Sequence, residues 1–162
     1  MMEFVYAYAY FILYAFLGWV CEDLYCGIPA KKFINRGFFY GPYCPIYGVG
    51  ALLVLYPLLF VKDYPILVFV LGVIITSALE YITSWVMEIL FKTRWWDYSE
   101  RFMNINGRVC LLNSTLFGIM SIVVVYIIHP VIQDIVMDIP FTALMSFLSA
   151  FTIGFGIDCV FT

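Results

Sequence analysis

The chain has 162 residues, of which 65% are hydrophobic, 20% aromatic and 12% charged, with a mean hydropathy of +1.01. Soluble domains hold about 45–50% apolar and about 25% charged residues, so this chain carries more apolar side chain than a globule of its size can bury. The same figures exclude disorder, a disulfide-rich mini-protein and, with a pI near 4.9 and no basic run, a nucleic-acid binder.

What remains is an all-α polytopic membrane helical bundle. At roughly 20 apolar residues per span, about five transmembrane helices fit. Residues 1–162 are then a single transmembrane domain with no room for a separate soluble one. Apolar stretches at 4–21, 46–61, 65–90, 111–129 and 141–160 supply the spans. Backbone groups in lipid must pair within the element, so each reads as a helix. Pro65 and Pro140 stand where helices begin, since proline's missing N–H costs little there. Pro130 follows the fourth stretch and is expected to stop it. The second stretch is the shortest, about 24 Å at 1.5 Å per residue, and contains Pro57. Residues 1–3 carry no basic segment and no small-residue cleavage site follows, so the first span reads as retained rather than cleaved.

Lys31, Lys32 and Arg36 lie in the first loop, and Lys92, Arg94, Arg101 and Arg108 in the third. Lys62 alone lies in the second, and the fourth has no basic residue. Five spans put loops one and three on one side, which the positive-inside rule makes cytoplasmic. The N-terminus is then outside and the C-terminus inside. All five cysteines map to that reducing side, where free thiols are expected. Fourteen of the nineteen charged residues gather there, with equal numbers of acids and bases.

A shift of 66 residues places Trp19-Val20-Cys21-Glu22 on Trp85-Val86-Met87-Glu88, Gly41 on Gly107 and Cys44 on Cys110. This suggests a parallel repeat of helical hairpins, with units 1–66 and 67–132 and a partial third unit at 133–162.

Residues four apart share a helix face. Tyr10, Tyr14, Gly18 and Glu22 align on the first span; Thr76, Glu80, Ser84 and Glu88 on the third; Ser146, Ala150, Gly154 and Asp158 on the fifth. Each stripe is small or polar and ends in an acid. Small residues favour close packing, whereas an acid within a span is costly unless paired or hydrated and often serves function. Arg36, Arg94 and Arg108 can pair with Glu22, Glu80, Glu88 or Asp97, or hold an anionic group. The expectation is a polar cavity between spans one, three and five, open to the cytoplasm. Trp95, Trp96 and Tyr98 suit the membrane interface, where with Arg94 they read as interfacial or gating residues. Asn106-Gly107 is a turn signal.

Gly18-Trp19 with Glu22, Asn35-Arg36-Gly37, Tyr40-Gly41-Pro42 and Cys44-Pro45-Ile46-Tyr47-Gly48 are similar to motifs of one bacterial family. So are Glu88, Trp95-Trp96-Asp97-Tyr98-Ser99, Asn104, Asn106-Gly107-Arg108 and Cys110-Leu111. Across residues 14–118 the chain resembles the small membrane proteins labelled putative ABC-transporter type IV permeases. The resemblance implies a membrane component of a transport system in the bacterial plasma membrane. It also implies that Glu22, Arg36, Glu80, Glu88, Trp96, Asp97, Asn104, Asn106 and Arg108 are functional. No phosphate-binding G-x-x-x-x-G-K-[ST] loop is present, so any ATPase must be a separate subunit.

The expected function is therefore a small transporter or permease component. Its substrate or ion site comprises Glu22, Arg36, Glu80, Glu88, Asp97, Asn104, Asn106 and Arg108. No catalytic residue, metal ligand or cofactor is expected. Expected partners are membrane lipids, further copies of the chain or other membrane subunits, and no nucleic acid. An enzyme acting on a lipid head group or isoprenoid phosphate is one alternative, through carboxylates holding Mg²⁺ and arginines clamping phosphate. A non-catalytic scaffold is the other.

Overall fold

The computed structural model describes residues 2–31 and 39–162. Helices α1 (Met2–Ala30), α2 (Pro45–Leu59), α3 (Pro65–Phe91) and α4 (Leu111–Val123) are followed by a π-helical turn, Val124–Ile128, then α5 (His129–Asp138) and α6 (Phe141–Phe161). Among the described residues there is no strand, only an isolated bridge between Ile105 and Val109. Four helical stretches are long and apolar enough to cross a membrane: Met2–Leu24, Pro65–Phe91, Leu111–Asp138 and Phe141–Phe161. The chain is a membrane protein by that measure. Helix α2 is apolar but shorter, with 15 residues.

Local chemistry sets most borders. Pro65 stands at the first turn of α3 and Pro140 caps α6. Helix α3 ends at Lys92, whose φ of 57° is left-handed and whose N–H reaches the Glu88 carbonyl; an αL residue of this kind closes a helix. Helix α1 runs past the expected end at 21 to Ala30.

Pro130 does not stop the fourth helix, contrary to expectation. The helix loosens into the π turn at Val124, and the His129 N–H bonds to the Val124 carbonyl, five residues back. Such a turn re-pairs backbone groups that a proline would strand, so α5 continues through Pro130 to Asp138.

The chain divides into two compact units: Met1–Leu52 with Pro130–Thr162, and Leu53–His129. In the first unit, α1 and the start of α2 approach at glycines. A Cβ on Gly18 would collide with the Tyr47 ring, and one on Gly48 with Phe11. Cys44, at the entry to α2, donates its N–H to the Ala15 carbonyl at 2.9 Å. The Tyr8 hydroxyl meets that of Thr152 on α6 at 2.8 Å. Phe39, Tyr43, Phe151 and Phe155 form an aromatic cluster with centroids 5.2 to 6.1 Å apart.

The second unit is an α3–α4 pair. Gly72 faces Ser121, and Gly118 faces Val73 and Phe69. The Ser77 hydroxyl donates to that of Ser114 at 2.7 Å. Small residues with hydroxyls are what packed membrane helices use, because lipid supplies no hydrophobic force between them.

Candidate functional site

The loop from 92 to 110 folds back on α3 through its own hydrogen bonds. Asn106 (φ 53°) and Gly107 (φ 69°) occupy the two left-handed positions of a tight turn, which the Arg108 N–H closes on the Ile105 carbonyl at 3.0 Å. Two successive left-handed residues are the signature of a type I′ turn, and Asn-Gly is its preferred pair. A Cβ on Gly107 would collide with the Asp97 carboxylate and the Ser99 hydroxyl. Asn104 fastens the approach: its amide donates to the Ser99 and Arg101 carbonyls, and its oxygen accepts the Gly107 N–H at 3.0 Å. The Asn106 amide donates to the Tyr81 hydroxyl at 2.8 Å. The Trp96 indole donates to the Arg108 carbonyl at 3.0 Å, while Trp95 is exposed.

This turn delivers Arg108 to the polar stripe of α3. Its side chain is 10% exposed. The guanidinium donates to the Ser84 hydroxyl at 3.1 Å and to Glu88 at 2.5 Å, and it lies over the Tyr81 ring at 5.7 Å. Glu88 is shared, because Arg94 reaches its other oxygen at 3.2 Å. Arg94 also stands 4.0 Å from Asp97. Asp97 is held mainly by Ser99, whose hydroxyl and N–H both donate to it. The Ser99 hydroxyl, then its N–H, then Arg94 hold the Asp97 carboxyl below the usual carboxylate range.

Two turns back along α3, Glu80 has different company. Its Oε1 accepts from the Tyr98 hydroxyl at 3.2 Å, and the Asn113 amide of α4 donates to that hydroxyl at 2.6 Å. Its Oε2 is buried with no hydrogen-bond partner. An arginine partner for Glu80 was one expectation; in this unit Arg94 and Arg108 are drawn to Glu88 instead, because the turn sets Arg108 at Ser84 and beyond. Burial, followed by the Glu80 carboxylate, pushes the Tyr98 phenol well up, so Tyr98 serves as a donor. A groove of about 300 Å³ is lined by Ser77, Ala78, Tyr81, Ile82, Ile105 and Val109, without Glu80.

In the first unit, Glu22 accepts from the Tyr47 hydroxyl. Asp158 of α6 accepts the N–H groups of Tyr40 at 3.1 Å and Gly41 at 2.8 Å, and the Tyr43 hydroxyl. Beside them, burial and then the Glu22 and Asp23 carboxylates push the Cys44 thiol up to about 11. Arg36 lies outside the described residues. Cys21, Cys44, Cys110 and Cys159 are free thiols.

Within the second unit, then, Glu80, Glu88, Arg94, Asp97, Tyr98, Asn106 and Arg108 form one hydrogen-bonded neighbourhood, and Asn104 acts on it through the turn. Ser84, Tyr81 and Asn113 belong to it too, although none was singled out as a site residue. Ser84 stands on the polar stripe of α3, and Asn113 is an amide in the first turn of α4. Tyr81 is one of thirteen tyrosines and gave no signal. Among the described residues no group of three or more His, Cys, Asp or Glu side chains is placed to hold a metal ion.

No curated protein and no solved structure matches the chain. The sequence profile described as "Putative ABC-transporter type IV" matches residues 9–162; with nearly its whole length covered, the chain belongs to that family of ABC-transporter-type membrane proteins.

Proposed function

We propose that this protein is a small transport component of the bacterial plasma membrane. Its substrate or ion site is the polar stripe of α3 with the loop from 92 to 110. The observation that carries this reading is the Glu80 carboxyl. It sits within an apolar spanning helix, yet its Oε2 is buried and unpartnered. A purely structural tie pairs both oxygens, since a stranded polar atom in a membrane helix costs several kcal/mol, on the order of a lost hydrogen bond or more. An open oxygen suits a site that binds and releases.

Glu88, clamped by Arg94 and Arg108, supplies the fixed part of the site, and the half-exposed Arg94 presents the solvent side of its guanidinium to an arriving anion. The excess of lysine and arginine in the loops at 22–45 and 91–110 supports a cytoplasmic placement of this end. Further copies of the chain, or other membrane subunits with a separate ATPase, complete the system.

Reconstitution into phospholipid vesicles tests this. On a solid-supported membrane, the wild type should give transient currents with at least one solute from a panel of amino acids, amines and inorganic ions. Glu80→Gln and Arg108→Ala should abolish them. Currents unchanged in both variants would remove the basis of the reading.

A further inference from the structure

We infer that the species taken up at Glu80 is a proton, and that Glu80, Tyr98 and Asn113 together form a proton-binding site within the α3–α4 unit. This rests on the transport reading above and names the ion for its site. The argument turns on which way the neighbouring groups point. A metal cation needs about six oxygen lone pairs converging on one point. Here the neighbours present hydrogens. The Tyr98 hydroxyl aims its hydrogen at Oε1 of Glu80, at 3.2 Å. The Asn113 amide in turn donates to the Tyr98 oxygen, at 2.6 Å, and takes up one of its two lone pairs.

Hydroxyls on the same helix turn their hydrogens to other groups: Ser77 donates to Ser114 at 2.7 Å, and Thr76 to the Gly72 carbonyl at 2.7 Å. Among the described residues no group of three or more His, Cys, Asp or Glu side chains gathers to hold a metal ion. The buried Oε2 of Glu80 has no hydrogen-bond partner, and one hydrogen fits it. Binding forms one O–H bond on Oε2 and converts the carboxylate to a carboxylic acid; release returns the proton and restores the anion.

The charges around it agree. From the loop the titratable neighbour is Tyr98; from α4 the neighbour is the uncharged Asn113. On α3 itself, Glu88 lies two turns on and is taken by Arg94 and Arg108. Arg108 also donates to Ser84. Within this unit no cation fixes Glu80 in its charged form, and the Tyr98 hydroxyl keeps its hydrogen to donate. A hydrogen bond to an anionic oxygen is stronger than one to a neutral oxygen. Tyr98 therefore favours the anion, against the burial that favours the acid, and the open Oε2 admits the proton.

Dicyclohexylcarbodiimide, which tags protonated carboxyls in apolar surroundings, provides the test. The full chain in phospholipid nanodiscs is treated between about pH 5.5 and about pH 8.5, and tagged residues are identified by mass spectrometry. Glu80 should be tagged, at a rate falling roughly tenfold or more as the pH rises through that window. Glu88, held by two arginines, should stay untagged. Tyr98→Phe removes the donor that favours the anion, so tagging at the upper pH should rise roughly tenfold over wild type.

No tagging of Glu80 at any pH overturns the inference, as does a pH-independent rate. Protection by excess sodium or potassium at fixed pH also overturns it, and assigns a metal cation instead. The readout is independent of transport. Tagging as expected in a protein that gives no solute currents leaves the proton site standing and sinks the transport reading. Persistent currents with no tagging do the reverse.

Discussion

Gly18 and Gly48 bring α1 and α2 together in the first unit, with the Tyr47 ring over one and Phe11 against the other. The residues 66 positions after Phe11 and Gly48 are Ser77 and Ser114, and these meet as a hydroxyl pair between α3 and α4. Cys44 and Cys110, at the same offset, are both buried immediately before the second helix of their pair. Glu22 and Glu88 both sit on the first helix, but Glu22 is held by a tyrosine and Glu88 by two arginines. Tyr14, the counterpart of Glu80, is buried. The first hairpin thus has rings on glycine at its crossing, whereas the second combines Phe69 on Gly118 with a serine pair and guanidinium bonds. The first carries the phenol of Tyr14 where the second carries the carboxyl of Glu80. If the offset marks two copies of one hairpin, α1–α2 should superpose on α3–α4 in an experimental structure. A poor fit of residues 4–60 on 70–126 would reduce the resemblance to coincidence.

The largest difference between the hairpins should appear at their acid partners. Arg108→Ala strips Glu88 of its closer cation and leaves Ser84 without its donor, so it removes two hydrogen bonds, one of them between charged groups. Tyr47→Phe removes one hydrogen bond from Glu22 and should cost about 1 kcal/mol. Thermal melting in detergent should therefore fall roughly twice as far for Arg108→Ala as for Tyr47→Phe. Equal losses would mean the guanidinium is no more central to its hairpin than the phenol is to its own.

The turns that precede each second helix offer a sharper contrast. Gly107 has φ at 69° and faces Asp97 and Ser99. Gly41, its counterpart, is not among the positive-φ residues, and a Cβ there meets only the Tyr43 ring. Gly107→Ala should cost about 1–3 kcal/mol, through both strain and collision, and should loosen Arg108 from Glu88. Gly41→Ala should cost less, since a side chain can move where a backbone angle cannot. Chemical or thermal melting of the two variants side by side decides it.

Much of this architecture was readable in advance, because composition and proline placement act locally. Apolar runs gave the spans, Pro65 and Pro140 marked two starts, and Asn106-Gly107 marked the turn. Pro130 misled because its missing N–H is compensated upstream, by the π turn at Val124–Ile128, and no residue type encodes that adjustment. The acids of the α3 stripe were legible from their spacing. Their partners were not. Tyr98 reaches Glu80 across 18 residues and Arg108 reaches Glu88 across 20, and only the folded loop from 92 to 110 decides which cation meets which acid.

A smaller effect is expected at the crossing. Ser77→Ala with Ser114→Ala removes the hydroxyl pair that stands where the first hairpin has Phe11 on Gly48. Hydrogen bonds between membrane helices average about 0.6 kcal/mol, so a double-mutant cycle on melting should return a coupling of that order. A coupling several times larger would make the serine pair a principal tie of the second hairpin rather than a filler of space.

The smallest effect is set by pH. Ser99 and Arg94 hold the Asp97 carboxyl below its ordinary range. A carboxyl depressed in the folded state stabilises the fold fully above its unfolded pKa of about 3.9 and loses that contribution as pH falls through the lower folded value. Asp97 is exposed, and solvent screens most of the gain. Melting of the wild type should therefore drop slightly more than that of Asp97→Asn between about pH 5 and about pH 3, and the two should run parallel above that window. The first hairpin has no loop carboxylate at the matching position, since the residue 66 before Asp97 is Lys31. The extra drop of the wild type should accordingly be untouched by Lys31→Ala. Wild type and Asp97→Asn falling together between about pH 5 and about pH 3 would assign the low-pH sensitivity of this loop to a group other than Asp97.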